Sequence, residues 1–486
     1  MGGVTDVVVV GSGPNGLAAA VILARAGLAV TVVEAAPTVG GGARSAELVP
    51  GFRFDLCSAV HPMGVASPFF RAFDLARHGV EMLTPEVSYA HPLPGGRAGL
   101  AWRDLDRTVD GLGVDGRAWR RLFAPLVRRW EGVVATAMSD LRGPPADPVA
   151  ALRLALRVVE QGGPTWGLRF RGPVAPALVT GVAAHTIAPP RRLVPAGAAL
   201  LLATLGHAGG WPLPRGGTQV IANALVEDLR RHGGRVVTGQ RVDSLAELSQ
   251  ARAVLLDTSP AELLRLAGDS LPQHYARWVR RFRYGNAACK VDFALAGRVP
   301  WSAPGCELAG TLHLVGTRAE AVAAEDEVAR GRHAERPYVL AVQPEAVDTN
   351  RAPEGRATLS VYAHVPHGST VDVTPAVIAQ IERFAPGFRD LVLDHHTVTA
   401  ANLRAHSANY VGGDIAAGAV TPWQMVFRPV PRWDPYATPL PGVYLCSAST
   451  PPGPGVHGMA GLHAARRVLR HRFRITTDPL ELLRRE

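Results

Sequence analysis

The chain begins with a strand that runs directly into a glycine-rich turn, and this join restricts the fold more than any other feature. Asp6-Val7-Val8-Val9-Val10 is followed by Gly11-Ser12-Gly13-Pro14-Asn15-Gly16, then by an alanine-rich stretch from Leu17 to Ala26 that reads as a helix. A second apolar run, Leu28 to Val33, ends on Glu34. Strand, GxGxxG, helix, second strand and terminal acid make the dinucleotide fingerprint in its required context. Gly11 permits the tight turn, Gly13 lets backbone approach a pyrophosphate, and Gly16 lets the helix pack on the strand. The N-terminus of the helix, which Pro14 and Asn15 open, offers free N–H groups and a positive dipole end to phosphates. Glu34 is placed to accept hydrogen bonds from an adenosine ribose. The competing reading, a glycine-rich turn with no ligand, leaves the second strand and its acid unexplained.

A chain of 486 residues is too long for one compact core, so two domains are expected. Its four cysteines, Cys57, Cys289, Cys306 and Cys446, are scattered with no CxxC pair. Neither a dithiol redox centre nor a zinc knuckle is indicated, and the usage fits a reducing, cytoplasmic setting. The net charge of +10 comes almost entirely from arginines spread along the sequence, with no run of five basic residues. With so much alanine, glycine and proline, it reflects composition, and no nucleic-acid partner is expected. Weak attraction to anionic membrane surfaces fits better. No secretory signal is visible. The longest later apolar run, Leu193 to Ala208, contains Pro195, Gly197 and Gly206 and is too short to span a bilayer.

Texture divides the chain into interleaved segments. Residues 1–60, 205–265 and 430–475 read as one discontinuous nucleotide domain; 61–204 and 266–429 read as a discontinuous substrate domain. Residues 61–204 look mostly helical, with an amphipathic stretch from Trp119 to about Met138 and another from Pro148 to Glu160. Pro214-Arg215-Gly216-Gly217 precedes a helix over Val220–His232, with short strands at Arg235–Thr238 and Ala253–Asp257. Strand-rich patterns fall at about 282–296, 336–343 and 357–364. Two further GxGxxG strings, Gly111–Gly116 and Gly453–Gly458, do not directly follow an apolar strand run, so no separate NAD(P)H domain is expected.

Several motifs together carry a family resemblance. Gly40-Gly41-Gly42-Ala43-Arg44 follows Glu34, and Pro50-Gly51-Phe52-Arg53-Phe54-Asp55 continues it. Pro214-Arg215-Gly216-Gly217 stands mid-chain; Gly442-Val443-Tyr444-Leu445-Cys446, then Pro451-Pro452-Gly453-Pro454-Gly455-Val456 to Gly461, closes the series. The chain thus resembles the flavin amine oxidases and phytoene desaturases, closest to the pyridine-nucleotide-disulfide-oxidoreductase-domain-2 branch. The resemblance implies an α/β fold: a Rossmann-type FAD domain with an inserted mixed-sheet and helical substrate domain. It implies FAD rather than NAD. By analogy Glu34 binds the ribose, Gly41, Gly42 and Arg44 lie near the pyrophosphate or flavin, and Val242 lies near the adenine. Ala448, Gly455 and Val456 approach the flavin, and the helix beyond them points its N-terminus at the ring. Two departures stand out: Ser447-Ala448-Ser449 where an acid often follows the final strand, and His457 where a small residue is usual.

Candidate chemical residues are few. Lys290 is the sole lysine among 51 lysine and arginine residues. It resembles the amine-oxidase lysine that holds a water against flavin N5, a task for a compact ammonium that a guanidinium fork cannot perform. An ordinary surface or ion-pair lysine is the alternative. His61 is a candidate base, against the slightly favoured reading of a turn-capping histidine before Pro62. His185 reads as a core histidine with a backbone partner. His395-His396 lacks a third ligand at metal spacing, so no metal is expected. Trp423, Gln424, Arg428 and His457 are substrate-side candidates, with a domain-junction strand as the equal alternative for the first three.

The expected activity is FAD-dependent oxidation: hydride passes from a substrate C–H to flavin N5, making C=C, C=N or C=O, and oxygen or a quinone-like acceptor reoxidises the flavin. The substrate is expected to be an apolar or amphipathic small molecule. A flavin-dependent isomerase or saturase, or a non-catalytic flavin-binding interaction protein, is the alternative. The Trp119–Met138 stretch offers a peripheral membrane contact, though a plain surface helix fits it better. A homodimer is compatible with the sequence but not specified by it.

Overall fold

The computed structural model describes residues 5–485. Val7–Val10, four β-branched residues in succession, forms the centre of a five-stranded sheet and is buried on both faces. A run of this kind suits a parallel sheet covered on both sides. The strand order is Val443–Leu445, Ala253–Leu256, Val7–Val10, Val30–Val33 and Arg235–Val237, and every pairing is parallel. Val7 pairs with Ala253 on one side and Val30 on the other. Three stretches far apart in sequence therefore meet in one sheet.

The first crossover helix, Pro14–Arg25, has Pro at its start and no side-chain cap at Gly13. Every residue from Asn15 to Ala24 is buried. It is wedged between Gln219–Arg231 and Met459–Val468. At the second contact a side chain on Gly461 would place its Cβ 1.9 Å from the Asn15 carbonyl oxygen, so the two helices pack this closely only through glycine.

The second sheet has seven strands in the order Val392–Val398, Ala287–Leu295, Ala357–Val365, Val339–Val342, Thr311–Leu314, Val87–Leu93 and Arg97–Trp102. All pairings are antiparallel except Thr311–Leu314 with Val87–Leu93. Helices Gly116–Val127, Trp130–Ala137, Pro148–Gly162, Val174–Ala183 and Leu193–Ala208 gather beside it.

Two expectations require correction. The Trp119–Met138 stretch is not one helix; it breaks at Arg129, whose backbone is non-helical (φ −126°, ψ 30°). Trp119 is fully buried and its indole N–H donates to His207 Nε2 at 3.0 Å, so this segment faces its own domain. The mostly helical region also holds the hairpin Val87–Trp102. All seven residues of Val87–Leu93 are buried, which erases the alternation that marks a half-buried strand. Leu193–Ala208 is one unbroken helix, with Pro195 tolerated in its first turn. No helix among the described residues is long and apolar enough to cross a membrane.

Candidate active site

A cavity of about 1290 Å³ runs from the glycine-rich turn, past the inner strands of the second sheet, into the helical layer. Ligand cavities are commonly about 300–1,000 Å³, so this one has room for a dinucleotide and a second molecule.

The glycine end is shaped by a residue to which the sequence motifs assign no role. Asp257 follows the Ala253–Leu256 strand, and its carboxylate accepts from Gly16 N–H at 3.0 Å. A Cβ on Gly13 would lie 2.4 Å from Asp257 Oδ2, and one on Gly11 (φ +97°) 2.9 Å from the Asp257 carbonyl oxygen. The glycines are thus required by Asp257 as much as by any phosphate. Burial pushes the Asp257 carboxyl well above the usual range. Pro14 and Asn15 open the helix at the cavity wall, and Asn15 Oδ1 is buried without a hydrogen-bond partner. Gly16 lies behind that wall.

Glu34 lines the same end. One of its oxygens accepts from Ser12 N–H (2.8 Å) and Ser12 Oγ–H (2.6 Å), the other from Ala36 N–H (2.8 Å). Val242 is buried beside it, its carbonyl accepting from Arg265 at 2.8 Å. Gly41 (φ +55°) and Gly42 border the turn; a Cβ on Gly42 would strike the Tyr410 hydroxyl at 2.4 Å. Arg44 is held by the carbonyls of Gly41 (2.8 Å) and His406. Ala448, Gly455 and Val456 close the cavity from the C-terminal segment.

Lys290 and His61 both reach the wall. Lys290 is buried on Ala287–Leu295, two residues from Asp292 and so on the same strand face. Its ammonium contacts both Asp292 oxygens, and Asp292 also accepts from Ser360 Oγ–H at 2.7 Å. His61 Nε2 lies 3.0 Å from Thr218 Oγ1, and that hydroxyl donates to the Ser58 carbonyl at 2.7 Å. Thr218 therefore accepts from His61 Nε2–H, and Nδ1 holds the lone pair. Burial lowers the His61 pKa to about 4, so the ring is neutral near pH 7.

The substrate-side candidates lie off the cavity. Trp423 is 57% exposed and packs on Phe427. Gln424 is buried against the backbone of Arg283, accepting from its N–H at 2.8 Å and donating to its carbonyl at 2.9 Å. Arg428 is fully buried, donates to the Ala417 carbonyl at 3.0 Å, and has its pKa lowered to about 10 by burial. His457 is a cap: its Nδ1 accepts from Met459 N–H at 3.1 Å at the start of the last long helix. A buried cap explains the histidine where a small residue was expected.

His185 is not the backbone-paired core histidine that its sequence context suggests. It borders the cavity, and its Nε2 sits 2.8 Å from His313 Nε2. Tyr362 and Tyr410 also line the wall. Their sequence surroundings carry no motif, so only the fold reveals them. His395 and His396 sit on Val392–Val398, and no cluster of three potential metal ligands occurs among the described residues. All four cysteines are free thiols.

Fold and site together define a Rossmann-type dinucleotide site, and the relatives of the chain make it an oxidoreductase. Residues 9–76 match the NAD(P)-binding Rossmann-like domain. The chain is 25% identical to the rat pyridine nucleotide-disulfide oxidoreductase domain-containing protein 2, across 96% of this chain and 93% of the relative. A shorter match, 35% identical over 22% of this chain and 19% of the relative, is to a component of the limonene dehydrogenase of Castellaniella defragrans. Among solved structures, cyclohexylamine oxidase from Brevibacterium oxydans shares the fold, with a TM-score of 0.56 at 15% identity, covering 99% of this chain and 100% of that one.

Proposed function

We propose that the chain is an FAD-dependent dehydrogenase or oxidase acting on a neutral, largely apolar small molecule. The observation that carries this reading is the distribution of charge along the cavity. Its acids, Glu34, Asp257 and Glu262, all belong to the elements around the glycine-rich turn. The far branch, walled by Leu141, Leu154, Val158, Val194, Leu201 and Met425, has no carboxylate to receive an ammonium group. Burying an unpaired cation there is strongly unfavourable, so a substrate enters that branch uncharged. Limonene, the hydrocarbon in the name of one relative, suits such a wall directly; the amine in the name of the structural neighbour fits it only after losing its proton.

The donor set fits FAD. Asn15 Oδ1 is an unpartnered buried acceptor, the Pro14–Arg25 helix opens at the cavity wall, and Glu34 lines the same end, where a ribose would lie beside it. When bound, FAD supplies a two-electron acceptor for a hydride from substrate C–H. Lys290, fixed by Asp292, keeps a third N–H for a water or a substrate oxygen. His61, neutral and held through Nε2, offers Nδ1 as a proton acceptor. The apolar branch excludes water and orients the substrate by shape.

The test is anaerobic mixing of the FAD-loaded protein with graded neutral terpenoids or long-chain alcohols, and with short amines. The expected result is loss of oxidised-flavin absorbance with a neutral compound and none with amines. Reduction by amines alone would overturn the substrate class.

A further inference from the structure

We infer that the Pro148–Gly162 helix and the loops beside it form a docking face for an anionic lipid surface, placed against the apolar branch of the cavity. Val149, Leu152, Leu156 and Val159 are 44%, 62%, 60% and 58% exposed. At about 100° per residue they share one face of the helix. Leu154 and Val158 lie roughly half a turn away and line the cavity. The helix is thus a thin wall, apolar toward the cavity and apolar toward the outside, which a helix bordered only by water does not need.

The exposed apolar surface continues past both ends of this helix. At its C-terminal end a Cβ on Gly162 would meet Arg192 and Leu193, which places exposed Leu193 there. Leu168, 79% exposed, follows on the next turn. At its N-terminal end Arg142 donates to the carbonyls of Trp433 and Val426, at 3.0 and 2.9 Å. Those bonds bring exposed Trp433 and Val426 beside Leu141, which is both exposed and part of the cavity wall. Two tryptophans, Trp423 and Trp433, stand in the same region. Their half-apolar, half-polar rings suit a bilayer interface.

Charge selects the occupant. The acids around this surface, Asp140, Asp147, Glu160 and Asp434, are each paired with an arginine. Exposed Arg153, Arg192 and Arg432 have no carboxylate partner among the described residues. An apolar face edged only by uncompensated positive charge complements an anionic membrane. It does not complement a second copy of itself, since a symmetric contact would bring like charges together. Docking there would let a lipid-dissolved molecule enter beside Leu141 without crossing water.

The inference is independent of the flavin and of turnover. Its test is flotation of the full chain with phosphatidylcholine vesicles, with and without phosphatidylglycerol, alongside light scattering for mass. The expected result is partition onto the anionic vesicles, weakened by salt, and reduced about tenfold or more by Leu152→Ser with Leu156→Ser. Leu308→Ser with Leu393→Ser, exposed apolar positions elsewhere, leaves partition unchanged. Circular dichroism verifies that both double variants fold. Failure to bind, or binding indifferent to lipid charge, overturns the proposal. So does a dimer in solution that the Leu152/Leu156 variant dissolves.

Discussion

At the residue scale, Asp257 explains why the turn needs glycine at three positions. Its carboxylate occupies the space where a Gly13 side chain would stand and accepts from Gly16 N–H. Gly13→Ala is expected to destabilise the protein by about 1–3 kcal/mol through overpacking and to lower FAD retention together with stability. Gly209→Ala, where a Cβ meets nothing within 4 Å, stays within about 0.5 kcal/mol. Urea unfolding with parallel flavin release compares the two. The buried Lys290–Asp292 pair is a second residue-scale case. Lys290→Met leaves Asp292 1% exposed and without its cation, at an expected loss of about 3–5 kcal/mol. Adding Asp292→Asn should restore much of it. A double-mutant cycle with additive losses would show that the pair does not act as a unit.

The glycines of the turn and their helix were legible because local steric rules leave them few alternatives. Asp257, Tyr410, Tyr362 and the His185–His313 pair were not. Each acts through partners far away in sequence, and nothing adjacent to them signals it. Trp423 shows the opposite error: proximity to the closing motif suggested a cavity role, whereas its ring faces outward.

At the scale of elements, the Val7–Val10 strand, its helix and the strands after it could be read from apolar runs bounded by glycine. The Val87–Trp102 hairpin could not, because a fully buried strand has no period to detect. The break at Arg129 escaped for a related reason: helical periodicity continues on both sides of it. The contact between Pro14–Arg25 and Met459–Val468 gives an element-scale prediction. Gly461→Ala forces a Cβ to within 1.9 Å of the Asn15 carbonyl oxygen, so the helices must separate. The expected loss is about 3 kcal/mol or more, read as a lower urea midpoint. An unchanged midpoint would mean that the helices are not packed this closely.

For the whole molecule, buried neutral histidines set the response to acid. His61, His91, His207, His457 and His463 are each buried, and burial lowers each pKa to about 4. As pH falls below about 6.5, the unfolded chain takes up protons at these positions while the folded chain does not. Stability from this source is therefore complete above about pH 6.5 and is lost progressively down to about pH 4. Each ring contributes a slope of about 1.4 kcal/mol per pH unit. Urea midpoints at pH 8, 6.5 and 5 should show little change over the first interval and a steep fall over the second. A flat profile across both would contradict the burial of these rings.

The central claim is that three distant stretches of chain converge on one FAD. The most direct measurement is the absorbance spectrum of the full chain after incubation with FAD and removal of unbound flavin. The expected result is a yellow protein that retains FAD in equimolar amount and releases it on denaturation. A folded protein that stays colourless after the same treatment would contradict it.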